Sequence, residues 1–353
     1  MREVLEEWRP VIDDAIADLL PREITEAYLA EFFGAPAYAY DPVSIQEGLA
    51  DPLWNLLDRG GKRWRAVVFL LLVEGFGEDP HGYLPYACIP EILHNGTIIV
   101  DDVEDSASMR RGEEALHHQF GTDIALNAGN AMYFLPLKVI TRDPANLPPE
   151  TRLAAYEMLT HELNRTHLGQ GMDIQWHNER EIRVDEDAYL EMCACKTGCL
   201  GRIVARLAAI VTGNESEEAT VADYAQSMSI AFQIADDILD VEHAMDHGGA
   251  FGKGIGNDIR EGKKTLMAIH AAEHADPASV ARLEELLWAE ENTDDEVLEA
   301  IDIMREAGSV EYAREVALGL AQDARDYLGE ADLDPETADT LAAFTRFVVD
   351  RNV

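Results

Sequence analysis

The chain has 353 residues and a formal net charge of −40, with 68 acidic side chains against 28 basic ones. That balance excludes nucleic acid and anionic membrane surfaces as partners, because both are held through basic patches. It also costs self-repulsion that salt screens, so the charge points to a salt-rich cytoplasm such as that of a halophile.

The length would allow two domains, but no Pro/Gly/Ser linker and no shift of composition marks a boundary, so one domain over 1–353 is expected. The longest apolar run, Ala66 to Val73, is too short to cross a bilayer, and the start MREVLEEWRPVIDD is too charged for a signal peptide. Cys88, Cys193, Cys195 and Cys199 lack the paired spacing of a zinc site and read as small buried residues in a reduced compartment. A soluble, cytoplasmic protein without stable membrane insertion is the expectation.

Most of the sequence carries a helical period. Residues 2–33 predict one or two amphipathic helices broken near Pro21, and 34–44 a loop holding Pro36 and Pro42. Gly60-Gly61 precede Lys62-Arg63-Trp64-Arg65 and an apolar helix to about Val73; the glycine pair lets backbone approach a ligand. After a loop at 75–82 comes the helix that ends in HNGTIIVDDVEDSASMRRG, residues 94–112. On a helix Asp101 and Asp105 share a face, with Cβ atoms about 6 Å apart. Two carboxylates so close need a cation, and hard oxygen donors suit Mg²⁺, which completes its shell with water and substrate phosphates. The adjacent guanidiniums of Arg110 and Arg111 call for an anion between them, such as a phosphate. Together they suggest a metal-bound diphosphate.

Further helices are predicted at about 120–141, 150–177, 186–213 and 219–243, several of them apolar on more than one face, as central helices of a bundle are. The last carries a second cluster, FQIADDILD, in which Asp236 and Asp240 again stand one turn apart. One acidic cluster in so acidic a chain reads as a solvated face. Two copies with apolar flanks favour metal sites. The stretch from His243 to Asp258 is glycine-rich but fails the phosphate-loop pattern, and the chain beyond EGKKTL reads as plain amphipathic helix. Of the six lysines, Lys62, Lys196, Lys253, Lys263 and Lys264 fall in GGKRWR, CKTG, GKG and EGKKT, and Lys138 alone stands outside such stretches.

The order and spacing of GGKRWR, HNGTIIVDDVED, RRG, GQGMD, KTG, FQIADDILD and GKGIGNDIREGKKTL resemble the trans-isoprenyl diphosphate synthases over nearly the whole chain. The resemblance implies an all-α isoprenoid-synthase-type bundle of long helices around a central cavity, with the aspartate motifs facing across its mouth, usually as a homodimer. It implies Mg²⁺-dependent condensation of isopentenyl diphosphate with dimethylallyl, geranyl or farnesyl diphosphate, with about three Mg²⁺ per loaded site. Carried over, Asp101 and Asp105 bind Mg²⁺ with Asp102 in support, and Asp236 binds a further Mg²⁺ with Asp237 and Asp240 in or near that shell. Arg110, Lys196, Lys253 and Lys263 hold the allylic diphosphate. Lys62, Arg65, His94 and Arg111 hold isopentenyl diphosphate. Thr197 and Gln233 lie beside the reacting carbons, and the loop with Lys253 serves as a lid. Ala66 and Asn130 depart from the family's common Pro and Asp. Asp123, Asp173, Asp185 and Asp187 read as surface or structural residues, although Gln170 and Asp173 lie in a family-like segment that could face the cavity.

Gly96 and Thr97, one turn before the aspartates, are small where family members that stop at fifteen carbons place an aromatic floor. Leu93, then Pro90, comes next, which favours geranylgeranyl diphosphate over a product of twenty-five or more carbons. A class I terpene cyclase would not need the second diphosphate site. A regulatory subunit of a heteromeric synthase typically loses one aspartate motif, and both are present. A non-catalytic acidic cation binder leaves the placement of the lysines unexplained.

Overall fold

The computed structural model describes residues 2–246, 256–289 and 291–349. The segment holding Lys253 lies outside the described residues, and with it the proposed lid. The chain is all-α. Among the described residues, extended structure is limited to one antiparallel pair, Met109–Arg110 with Glu113–Glu114. None of the described helices is long and apolar enough to cross a membrane.

The chain folds into two compact units, one formed by Leu71–Glu78 with Glu157–Val353, the other by Arg2–Leu70 with Asp79–Tyr156. In the second, the Leu84–Glu104 helix packs on the Thr122–Phe134 helix at very close range. Two glycines permit this. A Cβ on Gly96 would stand 2.7 Å from Met132 Cβ, and one on Gly129 would stand 2.9 Å from Val100 Cγ2. The first helix, Arg2–Leu19, buries Leu5, Ile12 and Ile16 and packs against the same Leu84–Glu104 helix.

In the other unit, the Glu218–Asp246 helix packs along Ser309–Glu330. The latter buries Ala313, Ala317, Ala321 and Ala324, a stripe at helical spacing small enough to bring the two axes together. Around them a core of Tyr189, Ile234, Ile238, Leu266, Leu283 and Ile301 is fully enclosed.

Three expected elements differ from the structure. The 34–44 loop ends early, because Asp41 caps a turn of helix at Pro42–Ile45 through the Ser44 N–H. The helix expected over 120–141 breaks at Leu135–Leu137, where Pro136 removes a backbone donor. The helix expected over 186–213 is interrupted at Ala194–Gly198 by a wide π-type turn that carries Lys196 and Thr197. The Pro149–Glu179 helix presses on that turn. A Cβ on its Gly169 would lie 2.4 Å from the Lys196 amide nitrogen.

Candidate active site

The Leu84–Glu104 helix places its acidic end against its own dipole. Asp101, Asp102 and Glu104 fill the last turn and Asp105 the C-cap, where open carbonyls already carry partial negative charge. Successive helical side chains point about 100° apart, so neighbouring aspartates take different directions. Asp102 is 3% exposed and accepts from Arg110 Nε at 2.7 Å, with a second contact from the same guanidinium. Burial raises its carboxyl pKa, and the Arg110 charge opposes that. Asp101 is half-buried and Asp105 exposed on the adjacent face. The sequence places Asp102 in support of the metal-binding Asp101 and Asp105; in the structure its carboxylate is engaged by Arg110.

Arg110 and Arg111 belong to a two-residue hairpin. Arg111 (φ 52°) and Gly112 (φ 80°) are its left-handed turn residues. The buried Arg59 side chain donates to the Arg110 and Glu114 carbonyls, which ties the hairpin to the end of the Asp51–Asp58 helix. Arg111 reaches back to the carbonyls of Gly60 (2.7 Å) and Leu56 (3.3 Å). It thereby meets the Gly60-Gly61 turn and Arg65, which is buried at 4% exposure. Desolvation lowers Arg65 to about 10, and it lowers Arg111 as well. His94 is held far below the usual imidazole range by burial and by Arg65, Arg111, Arg110 and Arg63, so it is neutral. Lys62 is exposed beside them in sequence. Arg65, His94 and Arg111, grouped by the sequence reading as one diphosphate site, are therefore neighbours.

The second cluster lies on the Glu218–Asp246 helix. Asp237, 3% exposed, accepts from Lys263 at 2.7 Å and from Gln233 Nε2 at 2.9 Å, with the Tyr189 hydroxyl at 3.5 Å. Burial raises its carboxyl to about 7, and Lys263 opposes that shift. Gln233 Oε1 in turn accepts from Thr197 at 3.2 Å. Asp240 accepts the Asp258 N–H at 3.1 Å, and Lys263 also reaches Asp258, at 3.4 Å. Lys196 pairs with Asp173 at 2.7 Å. Asp236 is half-buried on the same helix.

One residue here has no role in the sequence reading, and another has an open one. Asp173, read as surface or structural but in a segment that could face the cavity, pairs with Lys196. Asp258 donates its N–H to Asp240 and pairs with Lys263. The signal for Asp173 was its helical spacing from Gln170 in GQGMD; for Asp258 it was the GND before EGKKT.

Of the chain-length residues, Gly96 requires correction. It faces the Thr122–Phe134 helix, and its smallness serves that packing rather than a growing chain. Counting by helical turns, Thr97, His94 and Pro90 follow Asp101 on one face, whereas Leu93 is rotated away and fully buried. Thr97 is half-buried, with its hydroxyl on the His94 carbonyl.

The donor set fits Mg²⁺. Among the described residues no three His, Cys, Asp or Glu form a ready cage, and Mg²⁺ takes only one or two carboxylates before phosphates and water complete its shell. Carboxylates stacked at the negative end of a helix supply the need for such a cation.

Residues 46–304 match the sequence profile of the polyprenyl synthetase family. The geranylgeranyl pyrophosphate synthase of Geoglobus acetivorans is 34% identical over 87% of this chain and 92% of its own. The geranylfarnesyl diphosphate synthase of the haloarchaeon Natronomonas pharaonis is 29% identical over 88% and 92%. The crystal structure of geranylgeranyl pyrophosphate synthetase from Pyrococcus horikoshii superposes with a TM-score of 0.84 at 28% identity, covering 99% of this chain and 98% of that one. The chain belongs to the polyprenyl synthetase family. It is a prenyltransferase of the all-α prenyl synthase fold, and its activity is elongation of trans-prenyl chains.

Proposed function

We propose that this enzyme joins isopentenyl diphosphate head-to-tail to dimethylallyl, geranyl or farnesyl diphosphate, with geranylgeranyl diphosphate as its main product. The observation that carries this reading is the cluster of buried Arg65 with half-buried His94 and Arg111, within the unit that also holds Asp101 and Asp105. A cyclase needs one diphosphate site; a metal-bound site and a separate arginine-lined one suit two diphosphates.

In this reading Asp101, Asp105 and Asp236 would hold Mg²⁺, and Arg110, Lys196, Lys253 and Lys263 would bind oxygens of the allylic diphosphate. Bound Mg²⁺ would supply charge neutralisation as the leaving group departs. The allylic C1–O bond breaks with its electron pair going to the diphosphate. The double bond of isopentenyl diphosphate then attacks C1 through its terminal carbon, and loss of a C2 proton to the departed diphosphate restores an alkene. The Thr197 hydroxyl donates to Gln233 Oε1, and Gln233 donates to Asp237. The amide is thus fixed with its oxygen turned away from Asp237, where its dipole stabilises a nearby cation without acting as a nucleophile. Water must be kept from that cation, which it would quench to an alcohol.

The chain acts as one catalytic domain over 1–353, in the cytoplasm of a high-salt cell, as a homodimer. The name of the Natronomonas relative supports a second product, of twenty-five carbons. The test is product analysis with Mg²⁺, labelled isopentenyl diphosphate and each allylic starter in high-KCl buffer, followed by sizing of the alcohols. A dominant C20 alcohol is expected. A C25 alcohol would select the second product, and no elongation by folded protein with any starter would sink the reading.

A further inference from the structure

The arginine cluster contains one buried carboxylate that the functional reading does not use. Glu91 lies on the Leu84–Glu104 helix at 3% exposure. Its Oε1 is 3.6 Å from Arg63 NH1, a contact between charges without hydrogen-bond geometry. Among the described residues, Glu91 Oε2, Arg63 NH1, Arg65 Nε and His94 Nδ1 have no hydrogen-bond partner. Buried polar atoms are ordinarily paired, so four orphans in one cluster mark a place built to receive hydrogen-bonding groups.

The guanidiniums are held in place by other means. Arg63 is anchored by Asp13 at 2.7 Å and by the Leu57 carbonyl at 3.0 Å. Arg111 is anchored by the carbonyls of Gly60 and Leu56. Asp13 also balances the Arg63 charge, whereas the carbonyls on Arg111 fix position but neutralise nothing. The leading opposing charge at both Arg65 and Arg111 is Glu91.

We infer that Glu91 is a positioning residue of a particular kind: an internal counter-ion that weakens the hold of Arg63, Arg65 and Arg111 on a bound diphosphate. The chemistry of the reaction gives this a purpose. The diphosphate that enters on isopentenyl diphosphate stays on the product, because only the allylic C1–O bond breaks. The product's diphosphate is therefore formed in the arginine cluster and must leave it before release or another round. A cluster without its counter-ion would bind the incoming substrate tightly and surrender the product slowly.

This inference rests on the reading of the cluster as the isopentenyl diphosphate site. Glu91→Gln, which keeps the shape and removes the charge, is expected to lower KM for isopentenyl diphosphate by about tenfold. Turnover should fall with it, and KM for the allylic substrate should not move. Glu91→Asp should stay within about twofold of wild type. The double variant Glu91→Gln/Arg63→Gln removes one charge of each sign and should bring KM back near wild type; a scaffold role would make it worse than either single change. Should the single Gln variant fail to fold, the charge-balanced double still decides: a KM near wild type supports the inference, and a raised one overturns it. An unchanged or raised KM in folded Glu91→Gln overturns it too. Direct titration of wild-type protein with isopentenyl diphosphate separates the failures, because no binding there would defeat the site assignment itself.

Discussion

Asp101 and Asp102 are chemically identical neighbours that the helix assigns to different tasks. Asp102 points inward to Arg110, and Asp101 shares its face with Asp105. Asp101→Asn is therefore expected to cut turnover by about a thousandfold and to raise the Mg²⁺ concentration needed for half-maximal rate. Asp102→Asn should leave that concentration unchanged and raise the allylic KM by about tenfold, because Arg110 loses its anchor. Rates measured across a Mg²⁺ titration would separate the two, and an equal Mg²⁺ shift in both variants would contradict the division. His94 gives a pH prediction. Its folded pKa lies well below 6.5, so between those values the unfolded chain binds a proton that the native state does not. Stability then rises with pH through this window and is lost as pH falls below 6.5, by about 1.4 kcal/mol per pH unit. His94→Gln should escape this loss. Denaturant midpoints of wild type and variant should diverge in the variant's favour from pH 6.5 down to 5, and parallel curves would contradict the neutral imidazole.

At the scale of elements, helix phase decides what a small residue is for. Gly96 and Thr97 are consecutive, yet Gly96 abuts Met132 and Thr97 follows the face of Asp101. Gly96→Ala should cost about 1–3 kcal/mol of stability through overpacking and leave the product size unaltered. Thr97→Phe should shorten the product with little loss of stability. Chemical denaturation and alcohol sizing on both variants check this, and a shortened product from Gly96→Ala would return that residue to the cavity. The π-type turn at Ala194–Gly198 shows the same logic. An extra residue per turn re-aims Lys196 and Thr197, and Gly169 allows a neighbouring helix to brace the displaced backbone.

At the scale of the whole molecule, the net charge of −40 dominates. Repulsion among solvent-exposed carboxylates is long-ranged at low salt and confined within about 3 Å at 1 M. The melting temperature should rise steadily from 0.1 to about 2 M KCl. Sucrose at matched osmolality should give a smaller gain, since it does not screen charge. Calorimetry in the two series checks this, and equal gains would remove charge screening as the cause.

The sequence by itself determined the fold class and the family, and it named most of the groups proposed for the site. Helical period, the doubled aspartate spacing and the sparse lysines are local properties, legible within a few turns of chain. The partners of those groups depend on contacts between distant segments. Lys196 meets Asp173 across 23 residues, Asp258 meets Asp240 across 18, and Arg111 meets Gly60 across 51. No local spacing encodes such pairs. Glu91 reads in sequence as an ordinary charged helix residue. Only the packing of the Gly60–Arg65 segment and the hairpin around it makes it a buried counter-ion, because burial, unlike charge, is conferred by the rest of the chain.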